Sequence, residues 1–266
     1  MLKTKELTDV QGFELSAFVA EDSCLIPLFH GTRRYSIEAP QEDLARFYSA
    51  CNVIISFAKE VIESGIISED ELMNYYRNGN PEFLDIVVRQ AHERKFTYGD
   101  FYVSSSYSCA ISYAHNVGGE LGHSAFAQCV GFRDFNIKLD QELKNATMLI
   151  EQEHEKFKQS EKVILVYGGV KYADLIHEGG EPFLFPINNQ EDKEYLDFKI
   201  NRLNRAIDTN KTHTNANFAI KNVDDYTGYV LSEKDFRKGF SVFTKVTDVD
   251  NKIKNHNLYS SRKWSF

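Results

Sequence analysis

Residues 98–114, Tyr-Gly-Asp-Phe-Tyr-Val-Ser-Ser-Ser-Tyr-Ser-Cys-Ala-Ile-Ser-Tyr-Ala, constrain the local fold more than any other stretch of this sequence. A glycine turn precedes a short β-prone run at 101–103, and three serines that can cap a helix follow it. Residues 109–114 then have helical spacing. We therefore predict a turn, a strand, a cap and a helix, with Tyr102 at the end of the strand. Tyr113 falls about two turns along the helix, so the two rings can meet in one cleft.

An apolar strand with a distinctive end lies earlier in the chain. Residues 25–29 are apolar and run into His30, Gly31 and Thr32. Glycine has no Cβ atom, so a ligand can approach the main chain closely at such a position. A lone histidine after a strand is more often structural, and His-Gly-Thr gains weight only when it is joined to the tyrosine stretch.

The two stretches together resemble the poly(ADP-ribose) polymerase branch of the ADP-ribosyltransferase fold. Proteins of that branch carry His-Gly-Ser/Thr on the first strand and a Gly-x-x-Tyr strand, with a second tyrosine eleven residues after the first. The matching residues here are His30-Gly31-Thr32, Gly99 to Tyr102, and Tyr113. The resemblance implies an α+β fold with a split β-sheet core and with inserted and flanking helices.

The resemblance also implies that NAD+ is the co-substrate and that no metal is needed. Cleavage of the nicotinamide–ribose bond has a transition state with oxocarbenium character, as in glycoside cleavage. By resemblance, the rings of Tyr102 and Tyr113 clamp the cationic nicotinamide, which suits a π face. His30 bonds the adenosine-side ribose, and the Gly31 main chain meets the carboxamide. The other implied NAD+ contacts are Thr32, Arg34 and Ser104.

One amide contact of the family is altered. The family often has a serine three residues before the second tyrosine, where it binds the carboxamide of nicotinamide. That position is Ala110 here, so Ser108 or Ser112 has to replace it, or the bond is absent.

The catalytic carboxylate has two candidates, Glu181 and Asp225. The family's glutamate lies at the start of the penultimate strand, shortly before the last one. We predict the last two strands at 225–232 and 241–247, which puts this position at Asp225 or Thr227. Glu181 instead starts a predicted edge strand over residues 181–187, whose two prolines cannot donate to a ladder. If a neutral residue fills the position, the resemblance implies transfer of single ADP-ribose units or no catalysis.

The remaining pattern predicts one domain at 1–250, with a helical insertion at about 41–95 and a basic, aromatic tail at 251–266. The insertion contains a helix at 41–64 that Gly65 ends, a capping box at 68–71 and a helix at 81–94. Further predictions are a mobile glycine-rich loop at 118–123, helices at 125–132, 140–160 and 192–208, a strand at 162–170 and a loop at 211–217.

Composition limits the setting in which the protein works. The net charge of −8 gives no overall attraction to nucleic acid or to an anionic membrane. Four cysteines without a Cys-x-x-Cys pair argue against zinc and for reduced thiols in the cytoplasm. There is no signal-peptide pattern and no apolar run of about 20 residues, so we expect no membrane partner.

The sequence therefore predicts an NAD+-dependent mono-ADP-ribosyltransferase, a glycosyltransferase that modifies a protein or nucleic-acid acceptor. Its compact form suggests a bacterial toxin or phage-defence effector, for which an antitoxin is an expected partner. The alternatives are an NAD+ glycohydrolase, an inactive module of the same fold that binds NAD+ or ADP-ribose, and an unrelated α+β protein.

Overall fold

The computed structural model describes residues 2–10, 22–24, 26–67, 71, 101–177, 180–204 and 217–243. The start of the predicted capping box, the predicted helix at 81–94, Gly99 and the tail lie outside these residues. The chain groups into two compact units. The first unit comprises residues 1–31, 99–114 and 162–266, and the second comprises 32–98 and 115–161.

Seven described strands form one mixed sheet. Their bounds are β1 (Lys3–Glu6), β2 (Leu28–Arg33), β3 (Tyr102–Ser104), β4 (Lys162–Tyr167), β5 (Leu175–His177), β6 (Asn217–Ile220) and β7 (Thr227–Ser232). Their order across the sheet is β1-β7-β4-β2-β3-β6-β5. β1 is parallel to β7, whereas β2–β3, β3–β6, β4–β7 and β5–β6 are antiparallel.

The sheet has a narrow junction between β2 and β3. On one side of it lie β1, β7, β4 and β2, and on the other lie β3, β6 and β5. β4 and β7 pair over four residues, from Val163 with Ser232 to Val166 with Tyr229. By contrast, the described register of β2 and β3 is the single pair of Phe29 with Ser104. The α+β class is confirmed, while the specific ADP-ribosyltransferase fold stays a prediction.

Seven described helices accompany the sheet. They are α1 (Tyr35–Glu38), α2 (Gln41–Glu63), α3 (Tyr107–His115), α4 (Gly119–Asp134), α5 (Gln141–Gln159), α6 (Gln190–Asn204) and α7 (Phe236–Phe243). None of them is long and apolar enough to cross a membrane. The four cysteines are free thiols, as predicted.

Most elements with a clear period are confirmed. β2, β3, β4 and β7 coincide with predicted strands, and α2, α5 and α6 with predicted helices. The predicted serine cap of α3 is Ser106, whose Oγ accepts a hydrogen bond from the Cys109 backbone N–H at 3.2 Å. Asp140 caps α5 in the same way through the Leu143 N–H.

The second unit is helical and has its own core. Helices α2, α4 and α5 contribute the buried side chains of Phe47, Ile54, Phe132, Ile150 and Phe157. Burial of these apolar surfaces is the main stabilising term for such a helix layer.

The predicted mobile loop at 118–123 is wrong, because these residues begin helix α4. Gly118 precedes the helix in the left-handed region, with φ of 79°. Gly122 packs against Phe47, since a Cβ at Gly122 would lie 2.7 Å from Cζ of that ring. Here glycine serves close packing rather than mobility.

The predicted last strand at 241–247 is also wrong, since residues 236–243 form helix α7. Phe236, Gly239 and Phe243 are buried at helical spacing. The Tyr107 hydroxyl donates to the Phe236 carbonyl at 3.0 Å, which ties α7 to α3. A short 3-10 turn, Glu233–Asp235, leads directly into α7.

The predicted strand at 181–187 is not formed. Only Pro182 makes an isolated bridge, with Ile176 on β5. Proline lacks an N–H donor, so a segment with Pro182 and Pro186 cannot extend a ladder. The edge of the sheet is β5 instead, and neither β5 nor β6 was predicted.

We expect Gly239→Val to lower the free energy of unfolding by about 1–3 kcal/mol, because overpacking costs that much in a tight core. A Cβ at Gly239 would lie 2.5 Å from Tyr107 Oη and 2.6 Å from Leu231 Cδ2. Urea unfolding measures the effect. Ser241→Ala, at an exposed position of the same helix, is the control. Equal stability of both variants would contradict the helical packing of α7.

Candidate functional site

The candidate site is centred on His30 and Tyr102, which occupy adjacent strands. β2 carries His30 and β3 begins at Tyr102. The His30 Nδ1 atom lies 2.6 Å from the main-chain carbonyl oxygen of Tyr102. This bond is a second connection between β2 and β3, beside the single described register pair of Phe29 with Ser104. The structure thus brings the His30 side chain to the main chain of Tyr102, while the pairing of Phe29 with Ser104 places the His30 and Tyr102 side chains on opposite faces of the sheet.

This hydrogen bond fixes the tautomer of His30. A carbonyl oxygen only accepts, so Nδ1 must carry the proton and donate it. In the neutral ring Nε2 is then an acceptor, and it has no hydrogen-bond partner among the described residues. Burial lowers the pKa of His30 from 6.5 to about 4, and the bond to the Tyr102 carbonyl opposes that shift. His30 is therefore neutral at pH 7, with an acceptor nitrogen to offer a ligand hydroxyl.

A row of aromatic rings supports the imidazole. The Phe101 ring lies 4.2 Å from the His30 ring, and the Tyr167 ring lies 5.5 Å from Phe101. Tyr167 is buried, and a Cβ added to Gly228 would lie 2.8 Å from its hydroxyl oxygen. Burial raises the pKa of Tyr167, and the Asp224 carboxylate adds to that effect. The tyrosine is therefore a neutral packing element on which Phe101 and His30 rest.

Gly31 has a structural role that the sequence did not reveal. A Cβ atom at this position would overlap the carbonyl oxygen of Ala110 and lie 2.8 Å from the backbone nitrogen of Ala114. Helix α3 therefore occupies the space that glycine leaves open. The close approach of a ligand to the main-chain atoms of Gly31 stays a prediction.

The remaining NAD+ contacts predicted in the first unit lie near this centre in the fold. Ser104 ends β3 and is buried, and its Oγ accepts a hydrogen bond from the Ser106 N–H at 3.1 Å. Tyr113 is half-buried on α3, and Tyr102 is half-buried on β3. The meeting of the two tyrosine rings stays a prediction.

Thr32 and Arg34 belong to the second unit. The Thr32 hydroxyl donates to the Ser36 hydroxyl at 3.0 Å. Arg34 pairs with Glu161 at 2.8 Å and with Glu38 at 3.3 Å. A pyrophosphate would have to compete with these carboxylates for the guanidinium. The predicted anion contact of Arg34 therefore requires the ion pairs to open.

Neither predicted carboxylate begins a described strand. Glu181 is exposed, and its main-chain oxygen accepts from the His177 N–H at 2.8 Å. Asp225 is exposed and ends the 3-10 turn Val223–Asp225. Thr227 is exposed at the start of β7, which is the last of the described strands. The described residues contain no group of three or more His, Cys, Asp or Glu that could hold a metal ion.

Asn217 is a polar residue near Tyr102 that the sequence did not single out. Among the described strands β6 is the penultimate one, and it starts at Asn217, ten residues before β7. Asn217 lies opposite Ser104, and Ala219 lies opposite Tyr102. Opposed residues of an antiparallel pair share a face, as do residues two apart, so Asn217 and Tyr102 project from the same face. The apolar run Phe-Ala-Ile at 218–220 was the signal that a strand begins here.

We expect Gly31→Ala to lower the free energy of unfolding by more than about 3 kcal/mol, because the new methyl group meets main-chain atoms that cannot rotate away. Urea unfolding without any ligand measures this cost. Ser108→Ala, on the exposed side of α3, is the control. Unchanged stability of Gly31→Ala would show that α3 does not fill this space.

The lowered pKa of His30 predicts a pH dependence of stability. Between pH 6.5 and about 4 the unfolded chain binds a proton that folded His30 refuses, so stability falls as the pH falls through this window. His30→Asn keeps a donor for the Tyr102 carbonyl but does not titrate. We expect the wild type to lose on the order of 1–3 kcal/mol more than this variant between pH 7 and pH 4. Parallel pH profiles in urea unfolding would contradict a His30 whose pKa is lowered in the folded protein.

Comparison with known proteins returned no match. No family model matches the chain, and no curated protein or solved structure matches it.

Proposed function

We propose that this protein is an NAD+-dependent mono-ADP-ribosyltransferase that modifies a macromolecular acceptor. The hydrogen bond between His30 Nδ1 and the Tyr102 carbonyl carries the proposal. It joins the centres of two motifs that lie 72 residues apart in the sequence and that resemble one family only when taken together. A chance occurrence of either motif would not require the two to share a bond.

His30 orients the sugar in this proposal. Its Nε2 lone pair accepts a hydrogen bond from a ribose hydroxyl on the adenosine side, as the resemblance implies. Because Nδ1 is held by the Tyr102 carbonyl, the ring cannot flip to present a donor instead. Fixing this ribose anchors the adenosine half of NAD+, which helps to hold the nicotinamide ribose in place and lowers the entropic part of the barrier.

Tyr102 and Tyr113 hold the leaving group. The nicotinamide ring is cationic in NAD+ and neutral after the bond breaks. Aromatic faces attract the cation and exclude water from it, and the developing oxocarbenium carbon remains open to a nucleophile. Half-burial of both tyrosines is compatible with rings that a ligand can reach.

Asn217 stands where the family has its glutamate. Its amide can orient a ribose hydroxyl or the acceptor by hydrogen bonding, but it is neutral and cannot stabilise the oxocarbenium ion by charge. We therefore propose single transfers rather than chains of ADP-ribose. Asn217 replaces Glu181 and Asp225 in this role, because neither of those residues begins a described strand.

The biological setting follows the same proposal. A bacterial toxin or phage-defence effector acting in the cytoplasm, with an antitoxin as partner, fits an enzyme that consumes NAD+ and modifies a target. The net charge of −8 favours a protein over a nucleic acid as acceptor, because nucleic acid would be repelled overall.

The test is release of nicotinamide from NAD+ by the purified protein, with and without cell lysate as a source of acceptor. We expect lysate-dependent release, with one ADP-ribosyl mass added per modified site. Tyr102→Ala should reduce the rate at least about 100-fold, because misplacing the reacting bond costs that much. Met148→Ala, at an exposed position of α5, should retain the wild-type rate.

The other outcomes separate the alternatives. Equal release without lysate would replace the transferase by an NAD+ glycohydrolase. Saturable NAD+ binding without release would replace it by a binding module. Neither binding nor release by a folded protein would refute the proposal.

A second prediction concerns Asn217. We expect Asn217→Ala to lower the rate of transfer while the dissociation constant for NAD+ changes little, because the amide acts on the reacting ribose and acceptor rather than on the adenosine half. Single-turnover rates and equilibrium binding measure the two quantities separately. An unchanged rate would remove Asn217 from the site.

A further inference from the structure

Helix α6 exposes two large aromatic side chains on one face. Leu196, Ile200 and Leu203 form its buried face. Tyr195 and Phe198 are each 58% exposed, and residues three apart are neighbours on a helix surface. The Phe198 side chain makes no ring contact with any described residue. The helix is already packed through its other face, so these two side chains are available for a further contact.

Phe185 extends the exposed rings, and Lys199 holds them together. The Phe185 and Tyr195 ring centres lie 5.9 Å apart. Lys199 Nζ donates to the Phe183 carbonyl at 3.0 Å and lies 5.3 Å from the Phe185 ring and 6.0 Å from the Tyr195 ring. An ammonium at such distances attracts ring faces. We call Phe185, Tyr195 and Phe198 the α6 aromatic surface.

Negative charge borders this surface. Residues 190–197, the first two turns of α6, contain four carboxylates and one lysine. Glu191 and Glu194 are exposed and lie four and one residues before Tyr195. A complementary segment would therefore be both aromatic and basic.

We propose that residues 251–266 of the same chain bind the α6 aromatic surface. This tail contains four lysine and arginine residues and no aspartate or glutamate. It also contains Tyr259, Trp264 and Phe266. The aromatic side chains cover Tyr195 and Phe198, and the basic ones pair with Glu191 and Glu194.

A long connection precedes the tail. Helix α7 ends at Phe243, and the sixteen residues from there to Tyr259 can span up to about 50 Å when extended. A tether of this kind gives an effective concentration of roughly millimolar. Weak contacts between aromatic rings and between exposed charges therefore suffice to keep the tail bound.

Trp264 supplies a direct test, because it is the only tryptophan in the chain. We expect its emission in the wild type to be blue-shifted and protected from acrylamide. Phe198→Ser should move the emission maximum and the quenching constant towards those of the urea-denatured chain. Met148→Ser removes an equally exposed apolar side chain from α5 and should leave both values unchanged. Circular dichroism verifies that each variant is folded.

Charge reversal provides a second arm. Glu191→Lys combined with Glu194→Lys should increase quenching of Trp264, and high salt should do the same to the wild type, because exposed charges are screened. A wild-type emission equal to that of the denatured chain would overturn the proposal. So would a protected Trp264 that does not respond to Phe198→Ser. Protection that depends on protein concentration would assign the tail to a second copy instead.

Discussion

A single hydrogen bond, from His30 Nδ1 to the Tyr102 carbonyl, is the interaction on which the candidate site depends. The carbonyl can only accept, so it sets the proton on Nδ1 and leaves Nε2 as an acceptor. Burial keeps the ring neutral by lowering its pKa to about 4. The same bond joins β2 and β3 next to their one described register pair. Strand geometry and histidine chemistry are thus coupled, and each depends on Gly31 allowing helix α3 to pack against β2.

The sequence predicted the elements whose periods are unambiguous. The buried run of β4 and the long amphipathic helices α2 and α5 are examples, because their apolar spacing fits one structure only. Residues 241–243 were assigned to a strand because alternation over so few residues cannot be distinguished from a helical face. In the structure, Phe236, Gly239 and Phe243 share the inward face of a helix. The contacts of Gly239 with Tyr107 and Leu231 decide between strand and helix, and Tyr107 is distant in the sequence.

The wrong strand at 241–247 also affected where the catalytic carboxylate was predicted. With a strand placed at 241–247, the penultimate strand became 225–232, and the search for a carboxylate ended at Asp225. Among the described strands the penultimate one is β6, and its first residue, Asn217, lies on the same face as Tyr102. The packing role of glycine was missed for a similar reason. At Gly31 and Gly122 the missing Cβ allows close packing of Ala110 and Phe47, which no local pattern reveals.

The central claim is that His30 presents an acceptor nitrogen to the ribose of NAD+. Nitrogen-15 NMR of the histidine side chains at pH 7 tests it most directly, with His30→Asn used to assign the signal. The account predicts a neutral His30 protonated at Nδ1, and a shift of the Nε2 resonance on addition of NAD+ that saturates. A ring protonated at Nε2, or a His30 signal that does not respond to NAD+, would contradict it.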